Sequence, residues 1–143
     1  MRGWSHEEGR PFVIVVDSNV VAYLYLPGEY TSKAEALFER DPDWAAPVLW
    51  RSEFRNILAG CLRRGLLATN QAIALQREAG DLLAGREFEV DSAAVLALVR
   101  DSDCSAYDCE FIVLASQLDT RVVTADKKLL KAFPNRALSL TAA

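Results

Sequence analysis

The sequence predicts an α/β sandwich, a three-layer arrangement with a central parallel sheet and helices on both faces. Short runs rich in β-branched residues, FVIVV at 12–16 and RVVT at 121–124, read as strands buried on both faces. Stretches of helical periodicity separate each strand-like run from the next, which is the connection that parallel pairing requires.

Taken in order, Phe12 to Val16 is the first strand and ends at Asp17. SNVVAYLYL then turns helical until Pro27 and Gly28 break it, and TSKAEALFER makes a second helix that stops near Asp41 and Pro42. Trp44 to Pro47 reads as a brief strand or loop. Val48 to Gly65 carries an apolar stripe of Trp50, Phe54, Ile57, Leu58 and Cys61, a long helix for which Gly65 is a suitable stop. A further helix is predicted over Asn70 to Ala84 with Gly85 behind it, a strand within REFEV, and a helix over Ser92 to Arg100 capped by Asp91. Ser105 to Leu118 reads as helix, Arg121 to Thr124 as strand, Lys127 to Phe133 as helix and Ala137 to Leu140 as a last short strand. No internal repeat, low-complexity tract or linker interrupts the pattern. The expectation is one domain over 12–143 behind an N-terminal extension of residues 1–11.

A chain of 143 residues with 51% hydrophobic content suffices for one core and is short for two. Its formal charge of -4 argues against coating nucleic acid by bulk attraction, although a local basic strip is compatible with it. Cys61, Cys104 and Cys109 form no CxxC pair and are odd in number, so reduced, mostly buried thiols are expected rather than a zinc site or a disulfide framework. No apolar run approaches a membrane span and no signal-peptide core precedes Phe12, so a cytoplasmic location is expected.

Certain acids do not look like surface. Asp17 and Asp126 both stand at carboxyl ends of predicted strands, where open parallel sheets bind ligands. Either one alone is equally explained as a helix N-cap. Asp108 fits a capping box in SAYD (105–108), yet Phe111, Ile112 and Ala115 at helical spacing place it on an inward face. Glu53 lies at the edge of the stripe of its own helix, beside Ile57 and above Gly60, a position that by itself more often belongs to a solvated residue. Asp103 and Asp119 are read as surface or capping residues.

Two such carboxylates 4 Å apart repel by about 4 kcal/mol at an effective dielectric near 20. A divalent cation relieves that repulsion. Carboxylate oxygens with retained waters are the donors that Mg²⁺ or Mn²⁺ takes, and such ions bind phosphate oxygens and acidify a bound water, so phosphodiester hydrolysis is the natural reaction. The single histidine, His6, falls in the predicted extension, which argues against paired-histidine, Ser-His-Asp and histidine-rich zinc chemistry. Neither a Walker loop nor GxGxxG is present.

VVDSNVVAYLY (15–25), RSEFRNIL (51–58) and SAYDCEFIVLASQLDTRVVTADKKLL (105–130) together resemble the PIN domain, most closely the VapC-type ribonuclease toxins of toxin-antitoxin pairs. The resemblance runs from Phe12 nearly to the end, and its last block is the most specific. It implies Asp17, Glu53, Asp108 and Asp126 as catalytic, metal-holding acids, with Ser18, Asn19, Ser105 and Thr124 as polar supports. It further implies Mg²⁺ or Mn²⁺ as cofactor, RNA as substrate, a cognate antitoxin protein as partner, and a homodimer. The eleven residues before the strand depart from the usual family pattern. Arg51, Arg55, Lys127 and Lys128, with Lys131, are the basic residues nearest the expected pocket and are candidates for RNA phosphates.

Two other functions compete with the ribonuclease. A catalytically silent PIN-like scaffold would bind RNA or protein without cutting. A receiver-like phosphoacceptor domain also gathers acids at strand ends, but it needs a lysine after its last strand, where this chain has only Thr141, Ala142 and Ala143.

Overall fold

The structure, a computed structural model, describes residues 13–143. The predicted extension over 1–11, with His6, and the first strand residue Phe12 lie outside the described residues. The elements are β1 (Ile14–Val16), α1 (Ser18–Tyr25), α2 (Thr31–Arg40), β2 (Trp44–Pro47), α3 (Trp50–Arg63), α4 (Thr69–Leu82), β3 (Glu87–Phe88), α5 (Ser92–Arg100), α6 (Ala106–Gln117), β4 (Val122–Thr124), α7 (Lys127–Ala132) and β5 (Ala137–Ser139).

All five strands pair in parallel in the order β3-β2-β1-β4-β5. Val15 of β1 is in register with Ala45 on one side and Val122 on the other. The chain steps outward through β2 and β3, then returns to the opposite edge of β1 for β4 and β5, so strand order reverses between β1 and β4. Ligands in open parallel sheets bind at such a reversal, beyond the carboxyl ends of the strands. Asp17 follows β1 there, and Asp126 follows β4.

The core explains the apolar runs. Every residue of β1, β2 and β4 is buried, as a sheet covered on both faces demands. β2 is therefore a strand rather than a loop. Trp44, Trp50 and Phe54 are fully buried, Phe38 meeting Trp44 edge-on with ring centroids 5.3 Å apart. In α6, Cys109 and the run from Phe111 to Ala115 are buried on all sides of the helix, which packs against β1, β2, β4 and α5. The three cysteines are free and buried, as expected.

Differences from the sequence reading are local. α3 starts at Trp50 rather than Val48, and REFEV contributes only the two-residue edge strand β3. α4 starts at Thr69, where Gln71 accepts the Ala68 N–H at 2.8 Å. Gly65 and Gly85, read as stops, both sit in the left-handed region, at φ 72° and 81°. Asp119, read as a surface residue, is indeed exposed; it also adopts a left-handed φ of 52° and faces Arg136 at 3.7 Å.

α3 has no side-chain cap at Leu49, and its first turn is held from the sheet edge instead. Glu87 of β3 accepts the Trp50 indole N–H at 2.6 Å and two bonds from the Arg51 guanidinium, each also 2.6 Å. Truncation by Glu87→Ala strands a buried indole donor, a loss of about 1–3 kcal/mol, so the melting temperature should fall by several degrees. A melting curve within one degree of wild type would show that this lock contributes nothing.

Candidate active site

Each candidate acid is delivered by the first turn of a helix. Asp17 is the N-cap of α1, where its Oδ1 accepts the Val20 N–H at 2.9 Å and its Oδ2 accepts the Thr124 hydroxyl. It is buried, at 8% exposure. Asp126 is the N-cap of α7, with Oδ1 accepting from Lys128 N at 2.8 Å and Leu129 N at 3.3 Å. Thr124 joins the two, since its hydroxyl also accepts the Asp126 N–H at 3.0 Å. Capping is thus a real role of both aspartates, and it leaves Asp126 Oδ2 without a bond among the described residues.

Glu53 lies in the first turn of α3, half-buried, and its Oε1 accepts the Ser18 hydroxyl at 2.7 Å. Asp108 lies in the first turn of α6, where its backbone N–H is capped by Ser105 Oγ at 3.1 Å. Its carboxylate has no hydrogen bond among the described residues. The four acids line one cleft of about 560 Å³, together with Ser18 and Asn19. Ser105 and Thr124 act behind it, on the backbone of Asp108 and on the two capping aspartates.

Burial and mutual repulsion perturb these groups. Burial raises the Asp17 carboxyl from 3.8 to about 6, against the lowering effect of its Thr124 and Val20 bonds, with Asp126 and Glu53 pushing it up further. Glu53 is likewise raised, first by burial and also by Asp108, while the Ser18 bond lowers it. Four helix N-termini point into the same space, and their partial positive charge partly offsets the crowding.

The basic candidates are placed less centrally. Arg51 is committed to Glu87, and Arg55 bonds Ser52 Oγ at 3.2 Å and lines a separate groove between α3 and α4. Lys127 and Lys128 stand exposed beside Asp126, and Lys131 is exposed further along α7. Among the described residues no basic side chain lines the acidic cleft. Sequence reasoning missed Ser52, Asn56 and Tyr107, which do line it. Ser52 and Asn56 flank Glu53 at helical spacing, so a polar stripe beside the apolar one on α3 was the available signal.

Among the described residues, no three His, Cys, Asp or Glu side chains form a ready-made metal cluster. The donor set nonetheless fits a hard divalent cation. It is all oxygen, uncompensated by any cationic side chain among the described residues of the cleft, and Glu53 Oε2, Asp126 Oδ2 and the Asp108 carboxylate carry no hydrogen bond among those residues. Mg²⁺ characteristically takes one or two carboxylates and keeps several waters, which suits an open acidic cleft better than a closed cage.

A parallel sheet of this order with acids at its reversal point defines an α/β protein with an acid-lined cleft beyond the carboxyl ends of its strands. Residues 14–133 match the PIN domain model, and the chain belongs to the PIN domain family. It is 28% identical over 126 residues to ribonuclease VapC3 of Pyrobaculum aerophilum, covering 85% of this chain and 95% of that one. A crystal structure of a Pyrobaculum aerophilum protein superposes with a TM-score of 0.72 at 17% identity, over 91% of this chain and 93% of the other. A toxin-antitoxin complex from Klebsiella pneumoniae contains a chain matching at TM-score 0.62 and 13% identity, over 89% and 97%. The family assignment sets the receiver-like alternative aside.

Because Asp17 titrates near 6 when folded and near 3.8 otherwise, the metal-free fold favours its protonated form. That contribution, on the order of 3 kcal/mol, is complete below about pH 4 and lost as pH rises through about 6. In EDTA, the stability difference between wild type and Asp17→Asn should therefore shift by that amount in favour of the variant between pH 4 and pH 7. Parallel stability curves across that interval would refute the perturbed carboxyl.

Proposed function

We propose that this protein is a Mg²⁺- or Mn²⁺-dependent endoribonuclease that hydrolyses RNA phosphodiester bonds, and that it is the toxin of a toxin-antitoxin pair. The observation that carries the proposal is the cleft itself, where four carboxylates converge with no basic residue among the described ones that line it. Similarity to a relative named a ribonuclease and to a chain of a toxin-antitoxin complex supports it.

In this mechanism Asp17, Glu53, Asp108 and Asp126 would hold the cation. When bound, it supplies positive charge to the phosphate oxygens and lowers the pKa of a water. Thr124 and the Val20 N–H fix Asp17 so that it cannot turn away from the cleft. Ser18 fixes one oxygen of Glu53 and leaves Oε2 as the donor that it would offer the cation. Asn19, Ser52 and Asn56 offer neutral donors to the phosphate.

A cognate antitoxin that covers the cleft, assembly as a homodimer and a cytoplasmic location complete the proposal. Leu66 and Leu96, 64% and 63% exposed, supply apolar surface for such contacts. Among the described residues no helix is long and apolar enough to cross a membrane.

Single-stranded RNA should be cleaved with Mg²⁺ or Mn²⁺ and left intact in EDTA, and either ion should raise the melting temperature. Cleavage that persists in EDTA would sink the mechanism, and RNA bound but uncut with either ion would favour the silent scaffold.

Asp126→Asn separates cap from ligand. Asn caps as well as Asp, so metal-free stability should change by no more than about 0.5 kcal/mol while cleavage and Mg²⁺ affinity fall. Wild-type activity in that variant would leave Asp126 a cap and the site with three acids.

A further inference from the structure

The acidic cleft continues past α3. A second hollow of about 460 Å³ shares Asn19 and Ile57 with it and runs between α1 and the carboxyl end of α3. Its volume is within the range of small-ligand sites. What distinguishes it is Arg64, a cation where the cleft has none, together with Tyr23 and a single acid, Glu29.

Arg64 is exposed and makes no ion pair among the described residues. Its side chain folds back along α3, with Nη2 3.8 Å from Cys61 Sγ and Nη1 3.2 Å from the point where a Cβ on Gly60 would stand. Residues 53, 57, 60 and 64 recur at helical spacing, so the guanidinium rests on the Glu53 face of α3, about 10 Å along the axis. A side chain on Gly60 would crowd that position. Tyr23 is half-buried, its ring centroid 4.9 Å from that of Tyr30. It lines the hollow together with Asn19, the residue the hollow shares with the acidic cleft.

We propose that this hollow is the subsite for a nucleotide flanking the scissile phosphate of single-stranded RNA, with Arg64 meeting the flanking phosphate and Tyr23 carrying the base. The proposal rests on the ribonuclease reading above. An aromatic face and a cation along one groove are what single strands bind, and Asn19 at the junction supplies an amide for a base edge or sugar. The placement also answers an electrostatic need. A phosphate entering a four-carboxylate cleft is repelled until the metal is bound, and a cation one step away holds the strand without competing for the metal.

The ordinary role for an arginine at a helix carboxyl end is to offset the helix dipole, which a stability measurement reads directly. The test compares wild type, Arg64→Gln, Tyr23→Leu and Lys33→Gln, the last an exposed charge on α2. Affinity for fluorescein-labelled single-stranded RNA is read by anisotropy with Ca²⁺ in place of Mg²⁺, and kcat and KM are read with Mg²⁺.

Arg64→Gln should weaken binding about tenfold and flatten the log-log salt slope by about 0.7. Tyr23→Leu should weaken binding about tenfold with the slope unchanged. Both should leave kcat within about twofold of wild type, and Lys33→Gln should change neither affinity nor slope. Unchanged affinity in Arg64→Gln and Tyr23→Leu overturns the subsite, as does an equal effect from Lys33→Gln. A lower melting temperature with unchanged RNA affinity would reduce Arg64 to a helix terminator. Wild type that binds RNA with these dependences and never cuts it overturns the ribonuclease and leaves the subsite standing, whereas cleavage with KM unchanged in both variants overturns the subsite alone.

Discussion

Four carboxylates share one cleft because four helices begin there. Asp17 and Asp126 cap α1 and α7, and Glu53 and Asp108 occupy the first turns of α3 and α6. A carboxylate at a helix N-terminus gains about 0.3–1 kcal/mol from the dipole, while a close pair of carboxylates loses about 4 kcal/mol at an effective dielectric near 20. Helix termini alone therefore do not neutralise the cluster. The remainder is visible in the raised carboxyls of Asp17 and Glu53, for which burial is the larger cause and neighbouring acids the smaller. The divalent cation proposed for this site would relieve that condition.

The rest of the fold keeps those termini convergent. The strand order β3-β2-β1-β4-β5 places the ends of β1 and β4 side by side, and Thr124 ties Asp17 to the backbone of Asp126 across that junction. Glu87 reaches from the sheet edge to hold the uncapped start of α3, and Ser18 reaches from α1 to the Glu53 carboxylate. α6 is buried on all sides from Phe111 to Ala115, so Asp108 is presented by a helix that cannot easily shift. A one-residue displacement of any of these helices would rotate its acid by about 100° out of the cleft.

Charge is partitioned in space. The protein is acidic as a whole and most acidic where the reaction is proposed, and its cations stand around the cleft rather than in it. Lys127 and Lys128 occupy the first turn of α7, where their charge opposes the helix dipole, an arrangement that becomes favourable beside a phosphate. Arg51 shows how far sequence proximity misleads, since it sits two residues from Glu53 and is spent on Glu87.

The sequence alone determined the alternation of strands and helices, because β-branched runs and helical stripes are local patterns read within about ten residues. It also drew attention to Asp17 and Asp126 at strand ends and to Asp108 on an inward face, and the resemblance to PIN domains completed the set with Glu53. Tertiary structure decided what those signals could not contain. Thr124 and Asp17 are 107 positions apart, Ser18 and Glu53 are 35 apart, and Arg51 and Glu87 are 36 apart. Whether a hydroxyl restrains an acid, or an arginine is free to meet a phosphate, depends on which strands become neighbours. The same holds for Arg64, which reads as an ordinary helix end until the side chain is seen folded over Gly60 toward the groove. Partner choice between residues far apart in the chain is set by strand order and helix packing, and no local pattern of side chains encodes it.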